Sequence, residues 1–137
     1  MAEDSQTRPD ESQEIELSEA EIKELERLEA KKQASQKKVL DSKDNLFGAM
    51  LTDLNLEGLD LHDAKMAKAN MHDAYFADAQ LVAADFSEAD LRWADFSWAV
   101  LSEARFNEAN LLEAGFTETT LVAAYFTMEN LNRANFD

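Results

Sequence analysis

The chain has no cysteine, one proline and three glycines in 137 residues. Without cysteine there are no disulfides, no thiolate metal sites and no thiol chemistry. Glycine stands only at Gly48, Gly58 and Gly115, too sparse for a glycine-rich phosphate loop. No apolar run approaches the roughly 18 residues of a membrane span, and no basic-then-apolar segment marks a secretory leader. A cytoplasmic location is therefore expected. Positive charge is also scarce: 13 Lys and Arg stand against 29 Asp and Glu, a formal net charge of −16. Residues 1–45 carry 13 acidic and 8 basic side chains (−5), and residues 46–137 carry 16 and 5 (−11). That balance repels nucleic acid and anionic lipid, so neither is expected to bind directly; it suits solubility or a basic protein partner.

What the chain does have is a period. From Leu46 to Phe136 every fifth residue is Leu, Met or Phe, and the residue two before it is Ala at every step from Ala64 to Ala114. Five fits neither a helix nor a strand, because successive apolar residues would rotate off one face or alternate between two. Read as two plus three, it does fit. The two-residue step from Ala to Leu or Phe is an extended piece with both side chains on one side. The three-residue step to the next Ala turns a corner. Repetition winds a solenoid with one wall per pentapeptide, two residues in and three out.

The inward residue also counts the walls. From Phe76 it alternates Phe and Leu without exception to Phe136. With three walls per coil each column would mix the two. With four, position n stacks on n+20, and Phe76, Phe96, Phe116 and Phe136 form one aromatic column while Leu81, Leu101 and Leu121 form another.

The runs ADF at 84–86, ADL at 89–91, ADF at 94–96, ANL at 109–111 and ANF at 134–136 resemble the pentapeptide-repeat family, over about two-thirds of the chain. The resemblance implies an all-β solenoid, a right-handed quadrilateral β-helix of about 4–5 coils over residues 46–137. Leu54, Leu59 and Glu129 depart from the small inward residue. Glu129 would place a carboxylate toward the lumen, a costly burial, so the last coil is expected not to close around it.

One α-helix should precede the solenoid. Residues 1–14 are polar and read as a disordered acidic tail; residues 15–45 read as an amphipathic helix and linker. Ser18 and Glu21 have capping-box spacing, and Leu17 and Ile22 that of a hydrophobic staple. Acidic residues lead and Lys31, Lys32, Lys37 and Lys38 follow, in line with the helix dipole. Leu17, Ile22, Leu25, Leu28, Val39 and Leu40 fall on one side. Such a helix either caps the open first coil or pairs with another helix.

Chemistry is hard to find. His62 and His72 lie on opposite walls of a four-walled coil and cannot share a metal ion. No Ser, His and Asp group into a triad, and a filled lumen offers no pocket to shift a carboxylate's pKa. No catalytic, metal or cofactor site is expected. The outer walls differ, however. The wall of Leu81, Leu101 and Leu121 shows Val82, Val100 and Val122 with little charge, whereas that of Phe76, Phe96 and Phe116 shows Asp78, Asp95 and Glu118. Trp93 and Trp98 should project near Arg92, a composition typical of binding hot spots. Phe126, Leu131 and Phe136 line the final coil and make a candidate dimer end.

Two functions fit. One is a non-catalytic scaffold for a protein partner. The other follows from the resemblance: some family members are acidic dimeric rods that mimic duplex DNA and bind type II topoisomerases, inhibiting gyrase or protecting it from quinolones. Coils about 4.8 Å apart give a rod of roughly 22 Å, spanning only about 6–7 base pairs at 3.4 Å each. The scaffold is the expected function.

Overall fold

In the computed structural model the described residues are 15–137, so the acidic tail assigned to 1–14 lies outside them. The solenoid is held by parallel bridges between residues twenty apart, from Met50–Asn70 to Gly115–Asn135. One circuit therefore takes four pentapeptides. Wall 1 carries the outward column Lys65, Asp85, Arg105, Tyr125; wall 2, Met50, Asn70, Asp90, Asn110, Asn130; wall 3, Asn55, Tyr75, Asp95, Gly115, Asn135; wall 4, Asp60, Gln80, Val100, Thr120.

The two-plus-three reading of the period describes the local chain. In each repeat Ala and Leu or Phe face the lumen, and the inward Leu, Met or Phe residues from Leu56 to Phe116 are sealed at 0–1% exposure. The corner that follows is a tight turn: Ala99 N–H donates to Phe96 O at 2.9 Å, and Ala64 N–H to Leu61 O at 3.1 Å. Its third residue has positive φ, a conformation that normally calls for glycine. Here sixteen non-glycine residues adopt it, with φ between 53° and 62°. The compensation is visible in the ladder. The N–H of twelve of these residues, from Asp53 to Glu113, donates to the next coil, as in Trp98 N–H to Thr117 O and Asp63 N–H to Val82 O, both 2.9 Å.

The aromatic column predicted from the alternation is present and has a twin. Phe76, Phe96, Phe116 and Phe136 stack at 4.9, 5.1 and 4.8 Å with rings within 11° of parallel. Phe86, Phe106 and Phe126 stack on wall 1 at 5.1 and 4.9 Å. The two columns meet edge to face across the lumen at 5.6–6.4 Å, the arrangement favoured by the ring quadrupole.

Helix α1 runs Glu19–Asp41, with Ser18 as N-cap accepting the Glu21 N–H at 3.1 Å. Its C-terminal half covers the first coil: Val39 is 2% exposed, beside Leu46 and Leu51, and Gln36 Nε2 donates to Asn55 O at 3.0 Å. Its N-terminal half extends beyond the coil, leaving Ile22 and Leu25 exposed, while Leu28, also exposed, borders a cavity with Asp53 and Leu54.

At the other end the coil loosens. Leu121, Phe126 and Leu131 are only partly buried and Phe136 is exposed. The turn at 126–129 lacks the closing hydrogen bond that its neighbours Ala124 and Ala134 make. Glu129 occupies the inward position there, with Oε2 buried and unpartnered among the described residues. The corner around the carboxylate is thus left without its closing hydrogen bond, as its burial cost leads one to expect. Thr119, a second polar residue at an inward position, instead bonds Phe96 O through Oγ1 at 3.0 Å, and its corner closes.

Candidate interaction surfaces

Where an Asp or Asn precedes the inward residue, it has a structural task that its spacing alone did not disclose. Its side-chain oxygen accepts the backbone N–H two residues on, an Asx turn that braces the corner. Asp85 does so for Ser87 at 2.9 Å, Asp95 for Ser97 at 2.9 Å, Asn110 for Leu112 at 3.2 Å and Asn130 for Asn132 at 3.0 Å. On wall 2 Asn130 Nδ2 also donates to Asn110 Oδ1 at 3.1 Å. Part of the acidity is thus engaged in holding the corners. A second set is not: nine of the sixteen positive-φ corner residues are Asp or Glu, sharing the four corner columns with Trp, Ala, Lys, Met and Arg.

The walls differ much as their sequences suggested. Wall 4 carries Val82 and Val100, both half-buried, and Val122, 68% exposed. They share a wall without forming a continuous patch, because Ser102 separates Val82 from Val122 in their column. Wall 3 is the acidic and aromatic one. Trp93 and Trp98 occupy its two corners at coil level with Asp95, 44% and 58% exposed. Trp93 stands between Asp73 and Glu113 in its column, and Trp98 between Asp78 and Glu118.

Arg92 does not stand free beside the tryptophans. Its guanidinium holds Asp90 through Nε at 2.7 Å and Nη2 at 2.6 Å and lies over the Trp93 ring at 5.4 Å. Burial pushes the Asp90 carboxyl up, but the Arg92 hydrogen bonds and charge outweigh it and hold the group below its ordinary range. Arg92 and one face of Trp93 are therefore committed to wall 2, while Trp98 has no such cover.

The histidines sit on opposite corners, His62 Nδ1 2.7 Å from Asp60 and His72 Nδ1 2.9 Å from Asp73. Among the described residues no group of His, Asp and Glu is arranged to hold a metal ion, and no helix is long and apolar enough to cross a membrane.

A family model described as pentapeptide repeats, in 8 copies, matches residues 45–79, 55–92 and 94–137. The chain belongs to the pentapeptide-repeat family. Membership brings the right-handed sense of the β-helix. Among solved structures it is similar to the pentapeptide-repeat protein Rfr23 of the cyanobacterium Cyanothece 51142, at 22% identity and a TM-score of 0.44, covering 69% of this chain and 68% of that one. It is also similar to HetL of Nostoc sp. strain PCC 7120, a protein involved in regulating heterocyst differentiation, at 27% identity and a TM-score of 0.43, covering 74% of this chain and 45% of HetL. QnrB1, a plasmid-mediated fluoroquinolone resistance protein, is more distant, at 14% identity and a TM-score of 0.23 over 67% of this chain and 69% of that one. No curated protein matches the sequence significantly.

Proposed function

We propose that this pentapeptide-repeat protein is a non-catalytic scaffold, a short acidic rod of about four to five coils whose outer walls dock other proteins. The observation that carries the reading is the contrast between inside and outside. The lumen is filled by two interlocked phenylalanine columns and sealed alanines, so it offers no room for substrate. The four walls present different chemistry on a backbone held in register by parallel bridges on every wall. Rigid, differentiated surfaces suit recognition, which loses least when nothing has to be ordered on binding.

The nine outward corner carboxylates give the duplex-DNA mimic a specific observation in its favour. Its weakness is reach: a rod of roughly 22 Å, at about 4.8 Å per coil, presents a short stretch of backbone-like charge. A homodimer through Phe126, Leu131 and Phe136 would double that reach, and their exposure supports such a contact; Glu129 opposes it unless Arg133 of the second copy pairs with it. The setting proposed for it is the cytoplasm.

The test is association of the full chain with protein partners, followed by one outward substitution per wall. The scaffold reading expects at least one wall, Val100→Lys on wall 4 or Glu118→Lys on wall 3, to abolish an association while the melt is unchanged. Associations insensitive to every wall would contradict it.

A further inference from the structure

We propose that wall 3 is the docking face for an arginine-bearing, extended segment of a partner protein, with Trp98 as its central contact. The proposal rests on the scaffold reading and specifies the wall and the partner's chemistry.

The first argument is the placing of the tryptophans. They are the only two in the chain, both stand on this wall, and both adopt positive φ, 61° and 58°. A bulky side chain is seldom found in that conformation. Burial does not account for the choice, because the indoles are 44% and 58% exposed. Elsewhere the same corner position is filled by Ala83 and Ala123, so the fold has no need of an aromatic ring there.

The second argument is charge. Over residues 53–58, 73–78, 93–98, 113–118 and 133–137 wall 3 carries eight carboxylates and one basic residue, Arg133, which is held by Glu113 at 3.4 Å. Asp78 and Glu118 lie one coil below and above Trp98, and neither has an ion-pair partner among the described residues. An aromatic face flanked by two free carboxylates, each about 4.8 Å away along the column, is the setting a guanidinium prefers. It stacks on the ring while its edge donates to the acids. Such a face repels phosphate, so nucleic acid and anionic membranes are unsuited to it.

The third argument is shape. Between the tryptophans the wall is low. Asp95 is folded back onto Ser97, whose N–H and hydroxyl it accepts at 2.9 and 2.6 Å, and Gly115 above it has no side chain. A Cβ there would meet nothing nearer than Asp95 Oδ1 at 3.8 Å. Tyr75, 52% exposed, closes the lower edge of this floor. An extended chain presents alternate side chains to one face about 6.6–7 Å apart. A segment with arginine at every second position presents all of them to the wall, one of them to the uncovered Trp98.

Both tryptophans report on this wall, so intrinsic fluorescence of the full chain is the assay. The probe is a capped octapeptide of alternating arginine and alanine, titrated at low salt beside its lysine and glutamate counterparts. The expected result is a saturable change in emission with the arginine peptide, binding about threefold weaker for lysine, and no response to glutamate. By calorimetry Trp98→Ala should weaken the arginine peptide about fivefold to tenfold, Asp78→Asn with Glu118→Gln by a similar factor, and Val100→Lys not at all. Ala83 and Ala123 in equivalent corners indicate that Trp98→Ala will fold, and its melt checks this. No saturable response at millimolar peptide, or equal binding by Trp98→Ala, would overturn the proposal. If the peptide fails while a partner protein is lost on Val100→Lys, wall 3 is wrong and the scaffold stands; if no wall variant affects any association, both fall.

Discussion

Replacing Phe96 by alanine should be among the most damaging single changes in the chain, and its size can be worked from its surroundings. The ring is fully buried, stacked between Phe76 at 4.9 Å and Phe116 at 5.1 Å, with Phe86 and Phe106 meeting its edges at 5.6 and 5.8 Å. Truncating a core phenylalanine costs about 3–5 kcal/mol, more where the site cannot collapse onto the gap. Collapse is difficult here. The coils above and below are held at fixed spacing by Phe96 N–H to Gly115 O at 2.8 Å and Asp95 N–H to Ala74 O at 3.0 Å, so the cavity stays open. The expected loss is about 4–5 kcal/mol, a fall in Tm of roughly 15–20 °C for a chain of this size. Ser97→Ala, one residue on, loses only the hydroxyl bond to Asp95 at 2.6 Å and should cost about 1 kcal/mol. Urea unfolding of both variants measures the difference. Losses of similar size would mean that the two-plus-three register is wrong, since the argument depends on adjacent residues facing opposite ways.

Three further outcomes follow from the same structure. Glu129→Ala removes the buried, unpartnered Oε2 and restores the small inward residue, so it should raise the urea midpoint by the equivalent of about 1–3 kcal/mol; a lower midpoint would show that the carboxylate is engaged. Arg92→Leu should lower stability slightly near neutral pH, as expected of a solvent-screened ion pair. Asp90 is held below its unfolded pKa, so its contribution is complete above that value and disappears as pH falls through the folded one; thermal melts across that range should see the deficit vanish in acid. Phe136→Asp should weaken any dimer seen by light scattering, whereas a dimer lost only on deleting residues 1–40 would move the contact to the helix.

Much of this fold is legible in the spacing of a few residue types. The inward Leu and Phe define the register, their alternation defines the four walls, and Ser18 marks the start of α1, because burial and capping act on residues through their local pattern. Other features are invisible there for physical reasons. A positive φ at Glu88 or Trp93 carries no glycine to announce it, since the turn geometry at each corner demands that conformation of whichever residue stands third. The bracing task of Asp85 and Asn110 is hidden because an Asx oxygen and a solvated one are spelled by the same letter. At the candidate surface, sequence placed Trp93, Trp98 and Arg92 together but not their division: Arg92 turns to Asp90 and takes one face of Trp93 with it. That outcome depends on side-chain geometry across two walls. For the helix, the spacing leaves open a cap or a paired helix; Val39 seals the first coil as a cap does, while Ile22 and Leu25 stay exposed.

The choice between a protein scaffold and a duplex mimic is tested most directly by DNA gyrase. The protein, in molar excess and purified in full, is added to a supercoiling reaction and to a quinolone-induced cleavage reaction. A scaffold whose acidic walls serve other proteins predicts unchanged supercoiling and unchanged cleavage. Inhibition of supercoiling, or rescue from the quinolone, that is lost when Glu113 and Glu118 are changed to lysine would contradict it and make the carboxylate columns a substitute for DNA phosphates.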